Sequence, residues 1–173
     1  GRALAVTCDV GRIEDVTTLA EAASAWFHGE PTLVVNNAGI GAGGEDVGVT
    51  PLEDWRRTVD VNLWGVVHGC HVFVPRLRAG GRGGVINVAS AAGFAAAPRM
   101  SAYNVTKAGV MSLSETLAAE LAGTGVQVTV LCPTFVKTAI VERGRIDSGT
   151  AVWAARMMQL TGVPADDVAR QTL

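Results

Sequence analysis

Tyr103 is the chain's only tyrosine, and Lys107, one of its two lysines, follows four residues later. On a helix, positions i and i+4 share one face, so this spacing puts a phenol hydroxyl beside an ammonium. A nearby cation favours the phenolate and draws the phenol from its ordinary pKa of about 10 toward neutrality. A tyrosine tuned that way takes or gives a proton at physiological pH. Ser90, Asn62, Asp9, Asn36 and Asn37 are further polar residues set in apolar surroundings. Cys8, Cys70 and Cys132 are scattered and odd in number, with no CxxC pair, and read as small buried hydrophobes. His68 and His71 are three apart with no third ligand at a suitable spacing, so no metal is expected.

Strands and helices must bring these groups together. Residues 3–8 read as a short apolar strand ending at Asp9, and Ile13, Val16, Leu19, Ala20, Ala23 and Phe27 recur at helical spacing. Gly29-Glu30-Pro31 stops that helix. Residues 32–37 form a near-continuous apolar strand, as in a parallel sheet covered on both faces, and a glycine-rich loop, 39–48, follows. Thr50-Pro51-Leu52-Glu53 predicts a helix start with Thr50 as cap, Pro51 in the first turn and Glu53 closing a capping box. That helix extends to about residue 79, with a bend near 62–65 and Pro75 in its last turn or at a kink. Further strands are expected at 85–89, ending at Ser90, and at 126–131, ending at Cys132-Pro133-Thr134. The helix between them covers about 99–122. Residues 139–163 read as irregular or helical. Trp153, Met157 and Met158 there either line an apolar pocket as a mobile lid or simply pack. Pro164 opens a last helical stretch.

Alternating strand and helix predict an α/β fold with a parallel sheet and helices on both faces. Ligands in such sheets sit beyond the carboxyl ends of the strands. Asp9, Asn36, Asn37, Ser90 and Pro133 fall at such ends, so they are expected to converge on one rim. With 173 residues, net charge −2 and 49% hydrophobic residues, the composition suits one cytosolic α/β domain. The absence of a basic excess argues against nucleic acid as a partner. The longest apolar stretch, 61–77, is interrupted by Asn62, His68, His71 and Pro75, so no membrane span is expected.

Five segments together carry a family resemblance. Asn36-Asn37-Ala38-Gly39, then Asn62, Ser90, Tyr103-Asn104-Val105-Thr106-Lys107 and Pro133-Thr134-Phe135-Val136-Lys137-Thr138 resemble the short-chain dehydrogenase/reductase family. The spacing of 13 from Ser90 to Tyr103 matches its common single-domain class. Thr134 departs from the glycine usual at that position. The resemblance implies hydride transfer between NAD or NADP and a secondary alcohol or ketone. It implies Tyr103 as acid/base, and Lys107 as the charge beside it and the ligand of the nicotinamide ribose. Ser90 would hold the reacting oxygen, and Asn62 would hold a water in a proton relay. Asp9 would accept from the adenine amino group. Asn36, Asn37, Ala38 and Gly39 would stabilise the central strands and let the backbone approach the adenine ribose. Pro133, Val136 and Thr138 would flank the nicotinamide. Helices 52–79 and 100–122 would form a homodimer or homotetramer.

The same resemblance implies a partial Rossmann-like, doubly wound parallel sheet that lacks its first two strands and its last. Residues 1–173 are then a single incomplete dinucleotide-binding domain that begins inside a fold. Strand 32–37 would show an apolar edge, and the fragment alone would bind nicotinamide cofactor weakly or not at all. Gly39, Gly41 and Gly44 imitate a GxGxxG phosphate seat but do not open a helix directly after a first strand, and read as a loop over the cofactor. Two other readings stay open: a non-catalytic or cofactor-sensing protein of this fold, and an epimerase or dehydratase of the extended relatives.

Overall fold

The computed structural model describes residues 1–172, and their side chains except those of Glu142, Arg143 and Ser148. In chain order the elements are α1 (Ile13–Phe27), β1 (Leu33–Asn36), β2 (Ala42–Gly43), α2 (Leu52–Val59), a π-helical turn (Asp60–Trp64), α3 (Gly65–Ala79) and β3 (Gly83–Val88). A 3-10 turn (Ala91–Gly93), α4 (Ser101–Glu120), β4 (Val126–Leu131), β5 (Val136–Lys137) and α5 (Ile140–Arg143) follow. The described chain ends with β6 (Arg145–Ile146), α6 (Ser148–Thr161), β7 (Val163–Pro164) and α7 (Ala165–Thr172).

The central sheet is parallel, in the order β1-β3-β4. Val34 pairs with Val85 and Asn36 with Asn87, while Val85 pairs with Val128 and Val88 with Leu131. Alternation along the strands divides the two faces. Val34, Val85, Ala89 and Val126 face a core built with Val16 and Ala20 of α1, Val66, Phe73 and Leu77 of α3, and Val110 and Leu117 of α4. Each fully buried valine, leucine or phenylalanine among them contributes on the order of 2 kcal/mol. Val35, Ile86, Val88 and Leu131 face the other way, toward α7 across a cavity. β1 is one edge of this sheet, and Leu33 and Val35 there are exposed as expected.

Two expectations are corrected. Residues 3–8 form no strand among the described residues, because an apolar run becomes a strand only where another strand answers its N–H and C=O groups. Thr50 does not cap α2. Pro51 holds the cap position without a side-chain bond, and the Thr50 hydroxyl donates to Asp46 O at 3.0 Å. Glu53 is thereby free of a capping box and pairs elsewhere. The bend expected near 62–65 is the π-helical turn, and Pro75 sits inside α3 without ending it.

Candidate functional site

The carboxyl ends of β3 and β4 converge through hydrogen bonds that continue past the strands. Ala89 N donates to Leu131 O at 2.8 Å, and Ala91 N to Pro133 O at 2.9 Å. This sets Ser90 next to Pro133. Ser90 is extended and caps the 3-10 turn, its Oγ accepting from Ala92 N at 3.2 Å. α4 then brings Tyr103 and Lys107 to the same rim, one helical turn apart.

One cavity of about 310 Å³ opens there. Ser90, Tyr103, Lys107, Asn37, Gly39, Pro133, Val136 and Thr138 all line it, together with Thr134, Ile140, Met158 and, from α7, Val168 and Ala169. Asp9, Asn36, Ala38 and Asn62 do not. Asp9 is exposed and its Oδ1 accepts from Gly11 N at 3.0 Å. Asn36 and Ala38 face a second cavity of about 260 Å³ between β1 and α1. Asn36 Nδ2 donates to Asn87 Oδ1 at 2.8 Å, and Asn87 Nδ2 to Ser114 Oγ at 3.0 Å, a buried polar chain that ties β1 to β3 and α4.

Asn62 is fully buried in the π-helical turn. Its Oδ1 accepts from Ile40 N at 2.8 Å and its Nδ2 donates to Ile40 O at 2.9 Å. The carboxamide is thus engaged at both ends with the backbone of one residue. The clamp fixes loop 37–40 at the rim. A Cβ on Gly39 would stand 3.4 Å from Asn62 Oδ1 and 3.6 Å from Lys107 Nζ, so the backbone there lies against the ammonium.

The electrostatics differ from the expectation. Burial pushes the Tyr103 phenol up, while the neighbouring Ser90 hydroxyl pulls the other way. Lys107 is 4% exposed. Burial lowers it to about 8, against a smaller upward pull from Cys132. Lys107 Nζ donates to Val88 O at 2.8 Å and stands 5.6 Å from the centre of the phenol ring, and burial is the larger influence on both groups.

Three groups escaped the sequence reading. Asn87 lay unnoticed within an apolar strand, although a polar residue there is itself a signal. Asn104, beside Tyr103, anchors the preceding loop by donating from Nδ2 to Ala97 O at 2.8 Å. The α7 wall of the cavity had no motif to mark it. Of the candidate lid residues, Met158 lines the cavity, whereas Trp153 packs edge-on against Phe135 with ring centroids 6.1 Å apart. His68 donates from Nδ1 to Val10 O at 2.9 Å and tilts against Trp64.

Residues 1–148 match the family model described as short chain dehydrogenase. The chain belongs to the short-chain dehydrogenase/reductase family. Over 142 residues this family member is 44% identical to the probable oxidoreductase EphD of Mycobacterium tuberculosis, covering 82% of this chain and 24% of that protein. It is 33% identical over 144 residues to 2-(R)-hydroxypropyl-CoM dehydrogenase of Xanthobacter autotrophicus, covering 82% of this chain and 57% of that one. A solved short-chain dehydrogenase/reductase from Burkholderia phymatum, in complex with NAD, superposes with a TM-score of 0.91 at 34% identity, covering 98% of this chain and 66% of that chain. The chain thus spans between a quarter and three fifths of the length of these two curated relatives. Among the described residues, no helix of this family member is long and apolar enough to cross a membrane.

Proposed function

We propose that this protein carries the proton-handling half of an oxidoreductase that interconverts a small ketone and a secondary alcohol with NAD or NADP. The reading rests on one observation: Tyr103 and Lys107 of α4, and Ser90 just past β3, line the same cavity. The 2-hydroxypropyl group in the name of the Xanthobacter relative is itself a secondary alcohol. The 173 residues are read as part of one dinucleotide-binding domain.

The residues present fit the nicotinamide end of such a cofactor. Gly39 brings bare backbone close to Lys107 Nζ. Lys107 offers an ammonium for ribose hydroxyls, and Val136 and Thr138 offer an N–H and a hydroxyl for a carboxamide on the opposite wall. When bound, the cofactor supplies the hydride. The chain's own residues handle the oxygen. Ser90 Oγ donates a hydrogen bond to the carbonyl oxygen as negative charge develops. Tyr103, kept protonated by burial, gives that oxygen its proton, an effect typically worth about 10²–10⁴-fold. Lys107 stabilises the phenolate left behind. In oxidation the same groups act in reverse. Asn62 serves by holding the Ile40 peptide, and with it loop 37–40, in place.

Exposed Leu52, Trp64 and Val105 on α2, the π-helical turn and α4 support association of two copies through these helices, which light scattering would test. The functional reading is tested by following NADH and NADPH oxidation by the purified protein with small aliphatic and cyclic ketones. Reduction that is lost in Tyr103→Phe supports it. Full reduction by the variant overturns the assignment of Tyr103.

A further inference from the structure

The segment that roofs the cavity is tied to the body of the protein at a place no catalytic motif marks. β6 pairs in parallel with β2, with Arg145 N donating to Gly41 O at 3.1 Å and Asp147 N to Gly43 O at 3.1 Å. The Arg145 guanidinium reaches across to α2 and donates from Nη1 to Glu53 Oε1 at 2.8 Å and to Asp54 Oδ1 at 2.5 Å. Immediately after it, Asp147 caps α6, its Oδ1 accepting from Gly149 N at 2.9 Å and Thr150 N at 3.3 Å. The Asp147 carboxylate also lies against Gly44, where any Cβ would collide with it. α6 then carries Met158 to the cavity wall. β2 is held from its other side as well, since Gly44 N donates to Arg99 O at 2.7 Å, two residues before α4 begins.

We propose that Arg145 is a positioning residue: clasped to Asp54 and Glu53, it holds β6 on β2 and so sets where α6 and Met158 stand at the cavity. The inference deepens the proposed function, and its consequence for substrate rests on that reading. The geometry explains why two short rungs suffice. A two-residue strand contributes few hydrogen bonds, and a guanidinium gripped by two carboxylates adds a third tether in a direction the rungs do not constrain. Half of the Arg145 side chain is exposed (53%), so this tether is open to screening by salt. The roof is then a salt-sensitive clasp on an otherwise apolar wall.

Amide hydrogen exchange on the full chain tests this without any turnover, so it can fail independently of the reductase reading. Arg145→Asp and Asp54→Arg should each raise exchange in residues 148–161 by about five- to tenfold, with residues 101–120 unchanged. Combining the two reversals should return 148–161 to near its original rate, and Arg145→Lys should remain slow. In the unaltered chain, 1 M salt should speed 148–161 alone. The proposal is overturned if the single reversals leave 148–161 unchanged, if the combined variant exchanges as fast as either single, or if 101–120 accelerates in parallel.

Discussion

Lys107 Nζ donates to the carbonyl of Val88 at 2.8 Å, leaving the centre of the Tyr103 ring 5.6 Å away. The ammonium is fixed to the end of the strand that precedes Ser90, and both ionisable groups are governed by burial. Lys107 falls from 10.5 to about 8, and Tyr103 rises above 10.

Lys107 therefore opposes folding at neutral pH. Its folded pKa lies below its unfolded one, so below about 8 both states hold the proton and the folded state bears the full cost of a buried charge. Between 8 and 10.5 the unfolded state binds more protons than the folded state, and the stability contribution rises with pH. The limiting cost is roughly 3 kcal/mol. Lys107→Met should be the more stable protein in urea at pH 7, by no more than that amount. The gap should shrink steadily from pH 8 to 10.5. A gap that does not change with pH would show that Lys107 is not strained by burial.

Under the proposed function, a Tyr103 pKa raised above 10 gives the two reaction directions different pH behaviour. Ketone reduction needs the neutral phenol, which is present throughout the neutral range. Alcohol oxidation needs the phenolate, so its kcat should climb with pH up to the limit of protein stability. Tyr103→Phe should lower reductive kcat by about 10²–10⁴-fold with little change in the KM for cofactor. An oxidative profile that is flat from pH 7 to 10 would contradict the raised phenol.

Gly69 on α3 is the site where the buried polar chain leaves no room. A Cβ there collides with the carboxamide of Asn36, whose Nδ2 donates to Asn87 across β1 and β3. Gly69→Ala should cost about 2–3 kcal/mol in urea unfolding, although alanine is the better helix former. In the Asn36→Ala background the same substitution should be tolerated, since its obstacle is gone. Equal penalties in both backgrounds would move the cause elsewhere.

These cases show which kinds of information were legible in the chain. Parallel strands 32–37, 85–89 and 126–131 are legible because each is a short apolar run bounded by turn residues, and the helical face shared by Tyr103 and Lys107 follows from spacing alone. The direction of the Tyr103 shift is not, because it depends on burial by segments distant in the chain. The clasp at Arg145 joins residues about 90 apart through side chains whose types are common on any surface. Strand 3–8 was misread for a related reason: apolar pattern records what a segment tolerates, whereas pairing requires a neighbour that the pattern does not contain.

Asn62 satisfies both the N–H and the C=O of Ile40 from a fully buried position, so Asn62→Ala strands two polar groups. Each unsatisfied group costs about 1–3 kcal/mol, so a total of roughly 2–4 kcal/mol is expected after some hydration. Asn62→Asp keeps the acceptor for Ile40 N but sets a carboxylate oxygen against Ile40 O, and should be at least as damaging at neutral pH. Its deficit should lessen on acidification, as the carboxyl gains a proton it can donate to that carbonyl. Urea unfolding of the two variants between pH 5 and 8 decides the matter. A near-native Asn62→Ala would show that the clamp is dispensable.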